Sequence, residues 1–408
     1  MTRRPFAVIS GGGTGGHVFE ALAIARALGA LGHDPESIEL VGSSRGQEAL
    51  LLAGEGFPFT LLPGRGIVRK LDAASVRANL EAVAGLVWAT GREIVDLARR
   101  RPRVVVSVGG YASFPADVAA VLLGVPLVLV TIDAVPGAVH RLLAGRAAAN
   151  AVAFPGTDLP RAVVTGVAVR REITEVDRSA EAAARARKEL ELPADRLVVG
   201  VVGGSLGARR VNLATVGLAE HWRDRGDVAI YHVTGRRDAE EMQREAAARG
   251  LSPAGTASSA GTAPRGGTAP SAGTASSGGT APRGAGLSYR QVAFEDHMDR
   301  LYEAVDVMVC RAGASTVAEL AVAGVPSVLV PLPGAPGDHQ SANARALVDA
   351  GAAVLVPDAA CEPGRLASDL EGLLGDHARL EAMGEAARRL GRPDAADRIG
   401  ALVVAHAR

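Results

Sequence analysis

Short runs of apolar, largely β-branched residues recur along the chain with helix-like segments between them. They are Phe6 to Ile9, SIELVG at 37–42, VVVSVGG at 104–110, VPLVLVTI at 125–132 and AVVTG at 162–166. The runs are continuous rather than alternating, which is how parallel strands covered by helices on both faces read. A charged helix is predicted over 178–191, after which the pattern restarts with LVVGVVGG, VAIYHVTG at 228–235, DVMVC at 306–310 and VPSVLVPLP at 325–333. The expected fold is α/β: two tandem doubly wound Rossmann-like domains facing across a cleft at the carboxyl ends of their strands.

Residues 252 to about 287 break the pattern with repeats of Gly, Ala, Ser, Thr and Pro such as GTASSAGTAPRGGTAP. With so little to bury, such a stretch reads as a flexible surface insertion. An interdomain linker is the competing reading, but the strand-like YRQVAF at 289–294 resumes the second domain's pattern. The expected division is therefore 1–165 for the first domain and 166–389 for the second, which carries the insertion. A final amphipathic helix over about 390–408 is expected to pack back on the first domain.

Composition narrows the partner. The 408 residues suffice for two cores, and 48% are hydrophobic. Lys plus Arg equal Asp plus Glu at 44 each, so no basic field suggests nucleic acid. Cys310 and Cys361 supply neither a disulfide framework nor metal-ligand spacing. No apolar stretch has the form of a secretory signal or the roughly 18 to 20 residues of a membrane span, so a soluble or peripheral cytoplasmic protein is expected.

Two glycine-rich loops each follow a predicted strand and open a helix: SGGGTGGHV at 10–18 and VVGGSLGARRVN at 201–212. Exposed helix N-termini favour phosphate, because free backbone N–H groups and the helix dipole point at it. Either loop alone is as well read as a tight connection. Neither is a Walker A sequence, and no acidic residue in ribose-binding context makes the first a dinucleotide site. Two such cradles in one chain suit a donor and an acceptor that each carry a diphosphate.

With VGGYASFP at 108–115, CRAGASTVAEL at 310–320 and PLPGAPGDHQSANARAL at 331–347, in this order, the loops resemble the MurG family. These are peripheral-membrane enzymes that add N-acetylglucosamine to lipid I, giving lipid II in peptidoglycan synthesis. The resemblance spans nearly the whole chain outside the insertion. It implies a GT-B fold, UDP-N-acetylglucosamine (UDP-GlcNAc) as donor, a polyprenyl-diphosphate-linked muramyl peptide as acceptor, and inversion at the anomeric carbon. It implies no bound metal and no tightly bound cofactor, with room for stimulation by a divalent cation. It also implies the cytoplasmic face of the cell membrane, an anionic membrane surface and other cell-wall synthesis proteins as partners.

By that resemblance Glu319 takes the ribose hydroxyls, while Ala314, Ser315 and Thr316 meet the diphosphate and sugar. Ser205 contacts phosphate and Arg170 neutralises the diphosphate, a role suited to a planar guanidinium fork. Phe294, Glu295 and Met298 frame uracil, with the backbone at Glu295 reading the base. Gln340, with His339 beside it, meets sugar hydroxyls. On the acceptor side lie Gly13, Thr14, Gly15, Gly16 and His17, the glycine turn also reaching the donor, with Tyr111 and Ser113 shaping the surface. His17 is the candidate for proton transfer or transition-state polarisation, since imidazole does either near neutral pH. In RGIVRKL at 65–71, Arg65, Arg69 and Lys70 flank Ile67, Val68 and Leu71; with Leu86, Val87 and Trp88 this reads as a membrane patch, or as ordinary core and solvated charge.

Departures fall at sites that matter. The family's His-Glu-Gln-Asn segment reads Val130-Thr131-Ile132-Asp133, with Asp133 in place of an asparagine expected at the sugar. The Gly-Asn-Pro-Val-Arg segment reads Gly166-Val167-Ala168-Val169-Arg170, Leu206 replaces a glutamine, and Glu20 replaces a proline. Two rivals follow: a diverged copy with weak transfer or another acceptor, and a UDP-GlcNAc 2-epimerase-like enzyme of the same broad fold.

Overall fold

A computed structural model describes residues 4–12, 15–44, 54–62, 73–204, 207–251 and 286–408. The insertion at 252–285 and the RGIVRKL segment therefore lie outside the described residues. The first sheet has the strand order β3-β2-β1-β4-β5-β6-β7, built from β1 (Ala7–Gly11), β2 (Ile38–Ser43), β3 (Phe59–Leu62), β4 (Val104–Gly109), β5 (Leu127–Thr131), β6 (Ala149–Val152) and β7 (Ala162–Val164). Every pairing in it is parallel. The second sheet has the order β10-β9-β8-β11-β12-β13, from β8 (Leu197–Val202), β9 (Val228–Val233), β10 (Ser288–Val292), β11 (Val307–Cys310), β12 (Ser327–Leu329) and β13 (Ala353–Leu355). These are the two parallel-sheet α/β domains that the apolar runs predict. β3, β6 and β13 were not anticipated; each is only three or four residues long.

The continuous runs have a simple cause in the first sheet. Successive strand side chains point to opposite faces, and both faces are covered. Ile9, Val106, Val128 and Val130 pack with Ile24 and Leu28 of the Gly15–Ala30 helix and with Ile399 and Val403 of the Ala395–His406 helix. Val8, Val105, Leu127 and Leu129 join a separate core with Leu97, Ala119 and Leu143. The final helix thus packs on the helix that follows the first glycine loop, where a Cβ on Gly400 would lie 3.3 Å from Leu31 Cδ1 and 3.5 Å from Ala27 Cβ.

The chain divides into two compact units: Met1–Val176 with Ala312–Leu355 and Ala382–Arg408, and Asp177–Arg311 with Val356–Glu381. In the first sheet the strand order reverses between β1 and β4, whose ends carry the glycine turns, and ligands of such sheets bind at that position. A register shift sets Gly11 opposite Gly109. Gly110 has φ +82°, and a Cβ on it would fall 2.3 Å from the Gly12 carbonyl oxygen. No larger residue fits where these two turns meet.

Candidate functional site

In the first unit, the Ala314–Ala323 helix starts after Gly313, whose extended backbone forms the N-cap without any side-chain cap bond. Its first turn contains no acidic residue, so its N-terminal N–H groups and dipole are set for an anion. Ala314 is buried, while Ser315 and Thr316 are partly exposed at that end. One turn on, Glu319 Oε1 stands 3.7 Å from Arg170 Nη2. The Arg170 guanidinium also lies over the Phe19 ring, 4.8 Å from its centroid, and its Nε is buried without a hydrogen-bond partner among the described residues. The sequence thus brings a carboxylate, a guanidinium and an open helix end into one place.

Asp133, at the end of the β5 segment, is held from the His339–Asp349 helix. Asn343 Nδ2 donates to Asp133 Oδ1 at 2.9 Å and to the Ala312 carbonyl at 3.3 Å, and Asn343 Oδ1 accepts from Ala134 N–H at 2.8 Å. His339 Nε2 lies 4.0 Å from Asp133 Oδ1. Its Nδ1 bonds the Pro336 carbonyl at 2.9 Å, and since a carbonyl can only accept, Nδ1 carries hydrogen. Gln340 Oε1 accepts from Leu332 N–H at 2.9 Å, which leaves its amide N–H groups as its donors.

Glu20 is fully buried on the Gly15–Ala30 helix, and both its carboxyl oxygens lack a hydrogen-bond partner among the described residues. Burial, and then the charge of Asp133, hold its pKa well above the usual carboxylate range. Gly15, Gly16 and His17 form the start of this helix. His17 is half-buried, and its Nε2 would be 3.7 Å from a Cβ on Gly109. The same Cβ would be 3.3 Å from His140 Cε1. Tyr111 Oη shares a 2.9 Å hydrogen bond with Ser43 Oγ, and the buried Ser113 donates to the Gly110 carbonyl at 3.1 Å. Gly13 and Thr14 lie outside the described residues.

In the second unit, the Arg236 guanidinium lies over the Phe294 ring, 4.4 Å from its centroid. Glu295 accepts from Tyr231 Oη at 2.5 Å and from His297 N–H at 2.8 Å, so its carboxylate is committed to the protein and its backbone is what remains for a ligand. Met298 opens the Met298–Ala304 helix and is half-buried. Ser205 and Leu206 lie outside the described residues. Around them the loop is tight: a Cβ on Gly207 would meet Asp238 Oδ2 and the Thr234 carbonyl oxygen, each at 2.6 Å.

Sequence reasoning missed Asn343, Phe19, Arg236 and His140. Asn343 lies inside a quoted motif and Phe19 directly after one, and only their contacts mark them out. Among the described residues, no group of three or more His, Cys, Asp or Glu side chains could hold a metal ion.

The glycosyltransferase family 28 N-terminal domain matches residues 7–152 and the corresponding C-terminal domain matches 273–399. A Desulforudis audaxviator protein named UDP-N-acetylglucosamine–N-acetylmuramyl-(pentapeptide) pyrophosphoryl-undecaprenol N-acetylglucosamine transferase is 35% identical, over 96% of each chain. The crystal structure of Acinetobacter baumannii MurG superposes with a TM-score of 0.69 at 28% identity, covering 99% of each chain. A UDP-GlcNAc 2-epimerase from Neisseria meningitidis, bound to UDP-GlcNAc, shares the fold at a TM-score of 0.59 and 12% identity.

Proposed function

The chain belongs to the MurG family of glycosyltransferase family 28, and on that premise we propose that it transfers N-acetylglucosamine from UDP to undecaprenyl-diphosphate-linked N-acetylmuramyl-pentapeptide, converting lipid I to lipid II. The observation that carries this reading is the meeting of Arg170 and Glu319 at the uncapped start of the Ala314–Ala323 helix. The helix end and Arg170 suit the donor diphosphate, Glu319 the ribose hydroxyls, and the Gln340 amide the sugar hydroxyls. Phe294, stacked under Arg236, with the Glu295 backbone and Met298, suits uracil.

Chemistry follows from charge. The acceptor hydroxyl attacks the anomeric carbon, the carbon–oxygen bond to phosphate breaks, and UDP leaves with the electron pair, inverting the centre. Arg170 and the helix dipole stabilise the charge gathering on the diphosphate. His17 takes the hydroxyl proton, with Gly15, Gly16, Tyr111 and Ser113 on the acceptor side. No tightly bound cofactor takes part on this reading. His17→Ala is expected to lower turnover by about 10² to 10⁴ while sparing donor affinity.

The acceptor places the enzyme at the cytoplasmic face of the cell membrane. The Ala73–Arg100 helix supports such docking, with Val83, Val87 and Trp88 exposed by 48%, 68% and 56%. No described helix is long and apolar enough to cross a membrane.

The test is UDP release from UDP-GlcNAc with and without a lipid I analogue, with products read by mass spectrometry. Acceptor-dependent disaccharide is expected. Release of an altered sugar without acceptor would instead identify an epimerase, and donor binding without product a diverged copy.

A further inference from the structure

At the carboxyl ends of three adjacent strands the first sheet turns three hydroxyls to one face: Ser10 of β1, Ser107 of β4 and Thr131 of β5. Ser10 and Ser107 are register partners. All three are buried, as are Asp117, in the first turn of the Phe114–Leu123 helix, and His140, in the Ala138–Leu143 helix. Ser10 Oγ and Ser107 Oγ donate to Asp117 Oδ1 and Oδ2, each at 2.7 Å. Ser107 Oγ is also 3.1 Å from His140 Nε2, and Thr131 Oγ1 is 2.8 Å from His140 Nδ1.

A hydroxyl has one hydrogen, which fixes the direction of this chain. With Asp117 ionised, the Ser107 hydrogen goes to the carboxylate, so His140 Nε2 must carry N–H and donate to Ser107 Oγ, and Nδ1 accepts from Thr131. The edge that this ring turns to Gly109 is Cε1–Nε2, at 3.3 and 3.4 Å from a Cβ built there, and His17 Nε2 reaches the same point at 3.7 Å. Gly109 has φ +89° and brings no side chain to the point that both rings approach. His17 therefore faces the positive end of a neutral imidazole dipole.

We propose that Asp117, Ser107, His140 and Thr131 form a positioning relay that turns the N–H edge of a neutral His140 toward His17 and so keeps His17 ready to take a proton. This rests on the role given to His17 above. Burial, and then the charge of His17, push His140 down to about 4, while burial lifts Asp117 to about 6 against the hydroxyls of Ser107, Ser10 and Ser113. At neutral pH the pair is thus carboxylate and neutral imidazole, as the relay requires. Among the described residues, the titratable group acting on His140 is His17, and the groups acting on Asp117 are hydroxyls.

Asp117→Asn tests the direction with little change of shape. Its amide would donate to Ser107, whose hydrogen would turn to His140 Nε2 and leave the ring proton on Nδ1, with its negative edge toward His17. The expected results are Nε2–H His140 by ¹⁵N NMR in the native protein and Nδ1–H in the variant. The acid limb of the pH–kcat/KM profile should move upward by about a unit, with kcat up to about tenfold lower at pH 7 and donor KM unchanged. An Nδ1–H ring in the native protein, or an unmoved acid limb in a folded variant, overturns the relay. The native NMR measurement stands even if the variant does not fold. If the native chain makes no acceptor-dependent product, the proposed function fails, while the tautomer and the His17 titration still decide the relay.

Discussion

Glu319 and Arg170 face one another at 3.7 Å with their side chains 13% and 20% exposed, an ion pair at the open end of a helix. Partly desolvated pairs of this kind are costly to break from one side. Glu319→Ala should weaken UDP-GlcNAc binding by about 2 kcal/mol, roughly 30-fold, by isothermal titration. Arg170→Lys should fail to restore what Arg170→Ala loses, because an ammonium cannot span two phosphate oxygens or stack on Phe19. Unchanged affinity in the Glu319 variant would remove it from the ribose.

Asp133 brings a negative charge to the segment that the family resemblance places at the donor sugar. Asp133→Asn keeps an acceptor for Asn343 Nδ2 and removes that charge. The expected outcome is donor binding several-fold tighter at low salt, with the difference shrinking as ionic strength rises. The same substitution takes away one of the two causes that lift Glu20, so its carboxyl should titrate lower, by carbonyl-edited NMR.

Glu93 is fully buried, and both its oxygens lack a hydrogen-bond partner among the described residues. Burial is the main cause that raises its pKa to about 7 from 4.5. The folded state therefore binds this proton more tightly than the unfolded one, so stability is greatest below the unfolded pKa and declines as pH rises from about 4.5 to 7. The loss integrates to about 3 kcal/mol. Glu93→Gln should flatten that decline and leave the protein more stable than the parent at pH 8 in urea melts; an identical pH slope in both would disprove the assignment.

Val87 and Trp88 offer apolar surface to solvent, and Arg92 lies 5.8 Å from the Trp88 ring. Val87→Asp with Trp88→Ala should reduce co-sedimentation with anionic vesicles by about tenfold, equivalent to about 1.4 kcal/mol. UDP release with a water-soluble acceptor should be retained. Equal sedimentation would return these side chains to ordinary surface.

What the chain reveals of itself depends on distance along it. The longer strands of both sheets were legible because coverage on two faces leaves a continuous apolar run, whereas β3, β6 and β13 are too short to show one; Arg170 and Glu319 were legible because they sit in motifs of neighbouring residues. Asn343 was not, because its meaning is two hydrogen bonds to residues more than two hundred positions away. The Ser10, Ser107, Asp117, Thr131 and His140 group was equally hidden: its members come from five elements, and only parallel pairing of β1, β4 and β5 aligns them. Glu20 was visible as a replaced proline, but its burial beside Asp133 was not. Gly13, Thr14 and Ser205, read as phosphate contacts, fall outside the described residues.

The packing of Ala27 and Leu31 against Gly400 has a temporal side. A ribosome makes the helix bearing His17 long before the Ala395–His406 helix that covers it. Until residues 395–406 emerge, Ile24 and Leu28 lack Ile399 and Val403, and the unit cannot close. Such long-range closure is slow and leaves apolar surface open meanwhile. The first unit therefore cannot pack fully before residues 395–406 have been made, and the nascent first unit is the stage at which a chaperone would be needed.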